Sequence, residues 1–216
     1  GIELIPLISD IVLLGRCRHC KTKISIRYPL IELATGLIFA ITYLKFYATI
    51  DFAFYLILLY LLLAISLIDL ENRIVPNTLV AVGLLLGFIA LMPHFLNFFM
   101  NIPGFLLVNR QPFDAILGLL VGGTVMLIIF LVSRGGMGAG DIKLMALIGL
   151  FVGLQGIAVV MLFAFFIGAL YGIIMMLYGK LSRKDALPFA PFLSLATLIQ
   201  VLWGEQIWSW YINLLS

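Results

Sequence analysis

Long apolar runs dominate this chain, and short polar stretches interrupt them at intervals. The apolar segments fall at about 30–48, 52–69, 78–99, 113–133, 142–154, 156–178 and 190–214. Most reach the roughly 17–25 residues that an α-helix needs to cross hydrocarbon. The fifth is short and would suit a re-entrant piece, a half-buried helix or a short span. The runs do not alternate polar and apolar residues, as barrel strands do, so the spans read as helices. The pattern predicts an all-α, polytopic membrane bundle of about seven spans over residues 30–216, preceded by a polar, non-spanning segment over residues 1–29. It contains no internal repeat and no low-complexity linker.

Composition agrees. Hydrophobic residues make up 64% of the chain and charged residues 11%, with a mean hydropathy of +1.22. A soluble domain is about a quarter charged, so the lipid bilayer is the expected surrounding. The net charge of +3 is small, and nothing marks a nucleic-acid partner. Glu3, Pro6 and Asp10 make a poor signal peptide. The start at Gly1 rather than Met reads as a fragment or a processed product.

Charge placement orients the spans. With seven crossings, Arg16, Arg18, Lys21, Lys23, Arg27, Arg73, Arg134, Lys143, Lys180, Arg183 and Lys184 share one side, against Lys45 and Arg110 on the other. Merging 142–178 into one crossing moves three of them across and weakens the bias. Positive residues favour the cytoplasmic side, so the seven-span reading puts the N-terminal segment in the cytoplasm.

Two acids end apolar runs on that same side: Asp69 in SLIDLENRIVPN and Asp141 in GMGAGDIKLM. A carboxylate in hydrocarbon costs on the order of 2.5–3.5 kcal/mol on insertion scales, less near the interface. Gly135, Gly136, Gly138 and Gly140 precede Asp141 and would let backbone approach closely. The ordinary alternatives are that Asp141 N-caps a helix starting at Ile142, and that Asp69 is an interfacial charge. If the two meet at one water, like charges at close range share a proton. One carboxylate then serves as general base while its protonated partner polarises a carbonyl. Lys143 could tune such a site or simply snorkel. Asp51, Asp114 and Glu205 read as charges at span ends on the other side, and Glu32 as an interfacial charge.

Cys17-Arg-His-Cys20 is half of a zinc knuckle. His19 is poorly spaced as a further ligand, and His94 falls on the opposite side, so reduced cytoplasmic thiols are the alternative.

Taken in order, CRHCKTKISIRYPLIEL, IDLENRIVPN, GMGAGDIKLMALIG and LPFAPF resemble the bacterial type IV prepilin peptidases, membrane aspartic proteases of the GxGD class. The resemblance runs from about Gly15 to about Leu195. It implies that Asp69 and Asp141 are the catalytic pair and that Gly138 and Gly140 are the motif glycines. The implied activity removes the basic leader of prepilins or pseudopilins at the cytoplasmic face of the bacterial inner membrane. Peptidase activity needs no cofactor. Many members also methylate the new N-terminus with S-adenosylmethionine, and commonly carry an additional N-terminal span and a second, earlier C-x2-C pair. Neither feature stands in this chain, which looks like the later part of that cytoplasmic insertion onward. A different class of function, a proton- or cation-coupled transporter, would use the same acids as a relay.

Overall fold

The computed structural model describes residues 13, 16–17, 20–100, 111–133, 137–180 and 187–215, without the side chains of residues 94, 97–100 and 215. Arg18, His19, Arg110, Arg134, Gly135, Gly136, Arg183 and Lys184 therefore lie outside the described residues, as does the side chain of His94. Among the described residues there are six helical elements: α1 (Arg27–Phe46), α2 (Ile50–Asn72), α3 (Asn77–Met100), α4 (Pro112–Val132), α5 (Ala139–Leu177) and α6 (Ala190–Leu215). Extended structure there is confined to one isolated bridge between Arg16 and Lys23. Four of the elements, α1, α2, α4 and α5, are long and apolar enough to cross a membrane.

Residues 1–47 and 48–216 form two compact units. In the first, the Arg16–Lys23 bridge closes a tight turn. Cys17 N–H donates to the Thr22 carbonyl at 2.9 Å, and Lys21 N–H donates to the Cys17 carbonyl at 2.9 Å. Helix α1 follows; its Thr35 and Thr42 hydroxyls donate to the Glu32 and Ile38 carbonyls, so neither is left unsatisfied in an apolar helix.

The second unit is a bundle whose outer surface stays apolar. Phe88, Leu131, Phe166 and Trp210 are each at least half exposed, as expected of helices that are hydrophobic all round and meet lipid. Inward, α2 buries Phe54, Leu58, Leu62, Ile65 and Ser66 at helical spacing, and that stripe ends on Asp69. The Phe54 and Phe151 rings stack at 4.4 Å, joining α2 to α5.

Helix α5 keeps helical backbone angles except at Gly153, which has φ 73° and ψ −177°. In its first turn Asp141 lines one cavity with Leu187, Pro188 and Phe189. Its later part returns to the same place. Phe165 packs on Phe189 at 5.3 Å, and a Cβ on Gly168 would sit 3.3 Å from the Phe189 ring. A straight helix would hold residues 141 and 168 about 40 Å apart, so the chain folds back on itself at Gly153. Only glycine adopts that backbone comfortably. The separate apolar segments 142–154 and 156–178 are thus two limbs of one element joined by a single residue, with no polar loop between them.

Helix α4 braces the reversal. A Cβ on Gly118 would run into the Gly149 and Gly153 backbones, so α4 and α5 touch main chain to main chain. The Asp114 carboxylate accepts from Leu154 N–H at 3.1 Å and caps the returning limb. Asp114 is therefore more than the span-end charge its sequence position suggests.

Candidate active site

The last turn of α2 closes when Arg73, in the left-handed conformation (φ 56°), donates its N–H to the Asp69 carbonyl at 2.8 Å. That turn leaves the Asp69 side chain on the buried stripe, with Asp69 only 5% exposed. Ile74–Pro76 then runs outside any helix, and α3 starts at Asn77.

Across from it, α5 begins earlier than its apolar pattern suggests. Gly138 is the N-cap, so Asp141 is the third helical residue and not the cap itself. A carboxylate at that position reaches back to the N-terminal N–H groups of its own helix; here the backbone of Gly138 hydrogen-bonds the Asp141 carboxylate. The helix-start role and the inward-facing role are compatible, and Asp141 is also 5% exposed.

Helix α6 supplies the third wall. Its first N–H groups are accounted for one by one. Pro191 has none, while Phe192 and Leu193 donate to the Phe189 carbonyl at 3.1 and 3.2 Å. The remaining donor, Ala190 N–H, goes to Asp69 Oδ2 at 3.1 Å. Asp69 therefore satisfies an orphan donor at a helix N-terminus, where negative charge is favoured.

The two carboxylates line a single cavity of about 400 Å³ and interact electrostatically. Arg73, Ile74, Val75, Asn77, Gly138, Gly140, Lys143 and the Leu187–Phe189 stretch complete its wall. The Lys143 ammonium donates to Asn77 Oδ1 at 2.9 Å, tying the start of α5 to the start of α3. It makes no ion pair with either aspartate among the described residues. A Cβ on Gly140 would lie 2.6 Å from Val75 Cβ, so the glycine admits the 74–76 segment; one on Gly138 would reach Asp141 Oδ2 at 3.4 Å, an ordinary contact. Sequence reasoning missed Asn77, Ser66, Ser194 and the Ala190 N–H, since none stands out by residue type.

A larger cavity, about 500 Å³, lies beside the Gly153 reversal and is lined by Asp114, Gln155, Gln200, Glu205 and Trp208 among others. Its acids are differently disposed, because Asp114 is committed to Leu154 N–H and Glu205 is exposed. The pair of buried carboxylates belongs to the smaller cavity.

The matches to known proteins bear on the same residues. Residues 56–173 match the model of the type IV leader peptidase family, and residues 1–46 match the bacterial peptidase A24 N-terminal domain. A prepilin leader peptidase/N-methyltransferase from Pseudomonas putida is 35% identical over 99% of this chain and 72% of its own length. One from Bacillus subtilis is 32% identical over 98% of the chain and 80% of its own length. One from Pseudomonas aeruginosa is 37% identical over 98% and 70%. The chain belongs to the type IV leader peptidase family. No solved structure matches it. Membership in a leader peptidase family makes the chain a peptidase, and the transporter alternative has no support. The family's leader peptidase core, residues 56–173, contains both Asp69 and Asp141.

The N-terminal thiols belong to the first unit. Cys17 is half-buried and Cys20 exposed, both reduced. The Thr22 hydroxyl, 3.0 Å from Cys20 Sγ, holds that thiol down at about 7, helped by the Thr22 backbone and by Cys17. A tetrahedral zinc needs four ligands. Among the described residues no group of three or more His, Cys, Asp or Glu side chains stands close enough to hold a metal. Two thiols supply only half of the four ligands that a structural zinc takes.

Proposed function

We propose that this protein is a membrane aspartic endopeptidase that removes the basic leader from type IV prepilins or pseudopilins, with Asp69 and Asp141 as its catalytic pair. The observation that carries the proposal is two buried carboxylates on one cavity, in a chain of the leader peptidase family.

The pair works with one proton between them. The ionised carboxylate takes a proton from water as the water oxygen bonds to the scissile carbonyl carbon. The protonated partner donates to the carbonyl oxygen. Collapse of the tetrahedral intermediate breaks the C–N bond: the leaving amine takes the proton that the base had drawn from water, and the intermediate's hydroxyl returns its proton to the other carboxylate, leaving one proton on the pair. Arg73 and Lys143 at the rim would contact substrate peptide outside the scissile bond. Seven crossings, with the two limbs of α5 counted separately, put the Asp69–Asp141 end on the Lys- and Arg-rich side. That side is the cytoplasmic face of the inner membrane, where a basic leader would meet two acids.

The relatives' printed names include N-methyltransferase. S-adenosylmethionine is the methyl donor that the resemblance implies for that second activity, and cleavage draws on none of it.

The test is cleavage of a purified prepilin by the detergent-solubilised chain, with the cut mapped by mass spectrometry. Asp69→Asn and Asp141→Asn should each abolish cleavage while membrane insertion persists. Glu205→Gln, in the other cavity, should leave the rate within about twofold. Processing by either purified Asn variant would remove the pair from the mechanism.

A further inference from the structure

One turn below Asp69 on α2 sits Ser66, and one turn above Ala190 on α6 sits Ser194. Their hydroxyl oxygens are 2.6 Å apart. Each reaches the backbone on both sides of the helix pair. Ser66 Oγ lies 2.7 Å from the Leu62 carbonyl and 3.4 Å from the Ala190 carbonyl. Ser194 Oγ lies 2.8 Å from the Ala190 carbonyl and 3.2 Å from the Leu62 carbonyl. Two hydroxyl protons thus serve a cluster of four oxygens, and Ser66 is only 7% exposed, away from water.

Two features of this cluster concern the neighbouring aspartate. Ser194 grips the carbonyl of Ala190, the residue whose N–H holds Asp69 Oδ2. Hydrogen bonds from the two serines and from Ala190 N–H join α2 to α6, and such bonds are directional where dispersion contacts are not. The serine pair is a directional tie that fixes the register of the two helices one turn from the carboxylate.

We infer that Ser66 and Ser194 are positioning residues for the proposed cleavage: together they hold the N-terminus of α6 against Asp69, keeping Oδ2 on Ala190 N–H and so fixing the carboxylate in the cavity it lines. Neither serine is among the residues lining that cavity, so they act through Asp69 and do not touch substrate. The inference rests on the peptidase reading above.

Without the tie, the Leu187–Ala190 segment is free to withdraw from Asp69. The carboxylate then loses the donor that distinguishes its two oxygens. Substrate binding at the rim, around Arg73 and Lys143, would be left alone. The consequence is a fall in kcat with KM unchanged.

The test uses the full chain in detergent with a prepilin substrate, comparing wild type, Ser66→Ala, Ser194→Ala, the double variant, Ser66→Cys and Ser194→Thr, with Asp69→Asn as the inactive control. Each alanine variant should lower kcat about three- to tenfold, the scale of one interhelical hydrogen bond in a membrane bundle, with KM within about twofold of wild type. The double variant should be within about twofold of the weaker single, because the serines act as one unit. Ser194→Thr keeps the hydroxyl and should retain at least about half of kcat. Ser66→Cys keeps the shape with a weaker donor, so it reports even where alanine impairs folding, and should fall between wild type and alanine. The kcat–pH profile of the alanine variants should be displaced from that of wild type.

Wild-type kcat and an unmoved pH profile in the double variant would overturn the inference, and so would losses confined to KM. Cleavage by wild type and none by Asp69→Asn, alongside such a result, would leave the peptidase reading standing. Absence of cleavage by wild type would instead defeat the reading, and the inference with it.

Discussion

The Asp114 carboxylate and the Leu154 N–H lie 3.1 Å apart, and through that bond α4 caps the returning limb of α5. The reversal it secures turns on Gly153, whose φ of 73° and ψ of −177° admit no ordinary side chain. A Cβ there would also run into the Asp114 carboxylate.

Gly153→Ala should therefore cost at least about 2 kcal/mol, combining backbone strain with the collision. Asp114→Ala should cost about 1–2 kcal/mol, the worth of a lost cap, and Asp114→Asn less, since it keeps an acceptor. Thermal or denaturant unfolding in detergent measures all three.

Gly140 faces Val75 closely enough that a Cβ would stand 2.6 Å from Val75 Cβ. Gly140→Ala should push the 74–76 segment outward and lower cleavage about tenfold or more, given how steeply catalysis depends on placement. Gly138→Ala, facing a contact of 3.4 Å, should lose less. Adding Val75→Gly to Gly140→Ala removes the opposing atoms and should restore much of the rate. Equal losses from the two glycines would contradict this geometry.

Cleavage should show a bell-shaped dependence on pH. With both carboxylates protonated there is no base for the water; with both ionised there is no acid for the carbonyl oxygen. Each limb of the profile then belongs to the pair and not to one aspartate. A rate flat from about pH 4 to pH 9 would contradict the shared proton.

Cys20, exposed and held at about 7 chiefly by the Thr22 hydroxyl, should be alkylated by iodoacetamide at a rate that rises through that pH, since the thiolate is the nucleophile. Thr22→Val removes the leading cause of the lowered value, so the rise should move to higher pH. Cys17→Ser with Cys20→Ser should leave cleavage within about twofold. Mass spectrometry of the modified peptide, with the prepilin assay beside it, checks both.

The sequence announces the helical bundle and the two aspartates plainly, because apolar runs of this length have few other uses and acids are rare within them. It is silent on which way the helices face. In α2 apolar residues surround the axis on all sides, so no periodicity marks the stripe from Phe54 to Asp69 that the fold buries. Ser66 and Ser194 look like any small residues in a span. Asp141 looks like a cap one residue before Ile142, because the glycines ahead of it hide a helix that starts at Ala139. Asp114 reads as a boundary charge, since nothing local tells that its partner is an N–H forty residues on. The division of this region into runs 142–154 and 156–178, and the charge bias that keeps them as separate crossings, put a break close to Gln155; that Gly153 is the residue that makes the turn carries no mark of its own.

The outgoing limb of α5, residues 139–152, rises only about 21 Å, against a hydrocarbon core of about 30 Å. Thinning of the lipid beside it, or burial of its turn among the side chains around Gln200 and Glu205, would take up the difference. A bilayer pinched in this way makes acyl length a variable of the enzyme. Vesicles of short-chain lipid should support faster leader removal than long-chain ones, at equal headgroup.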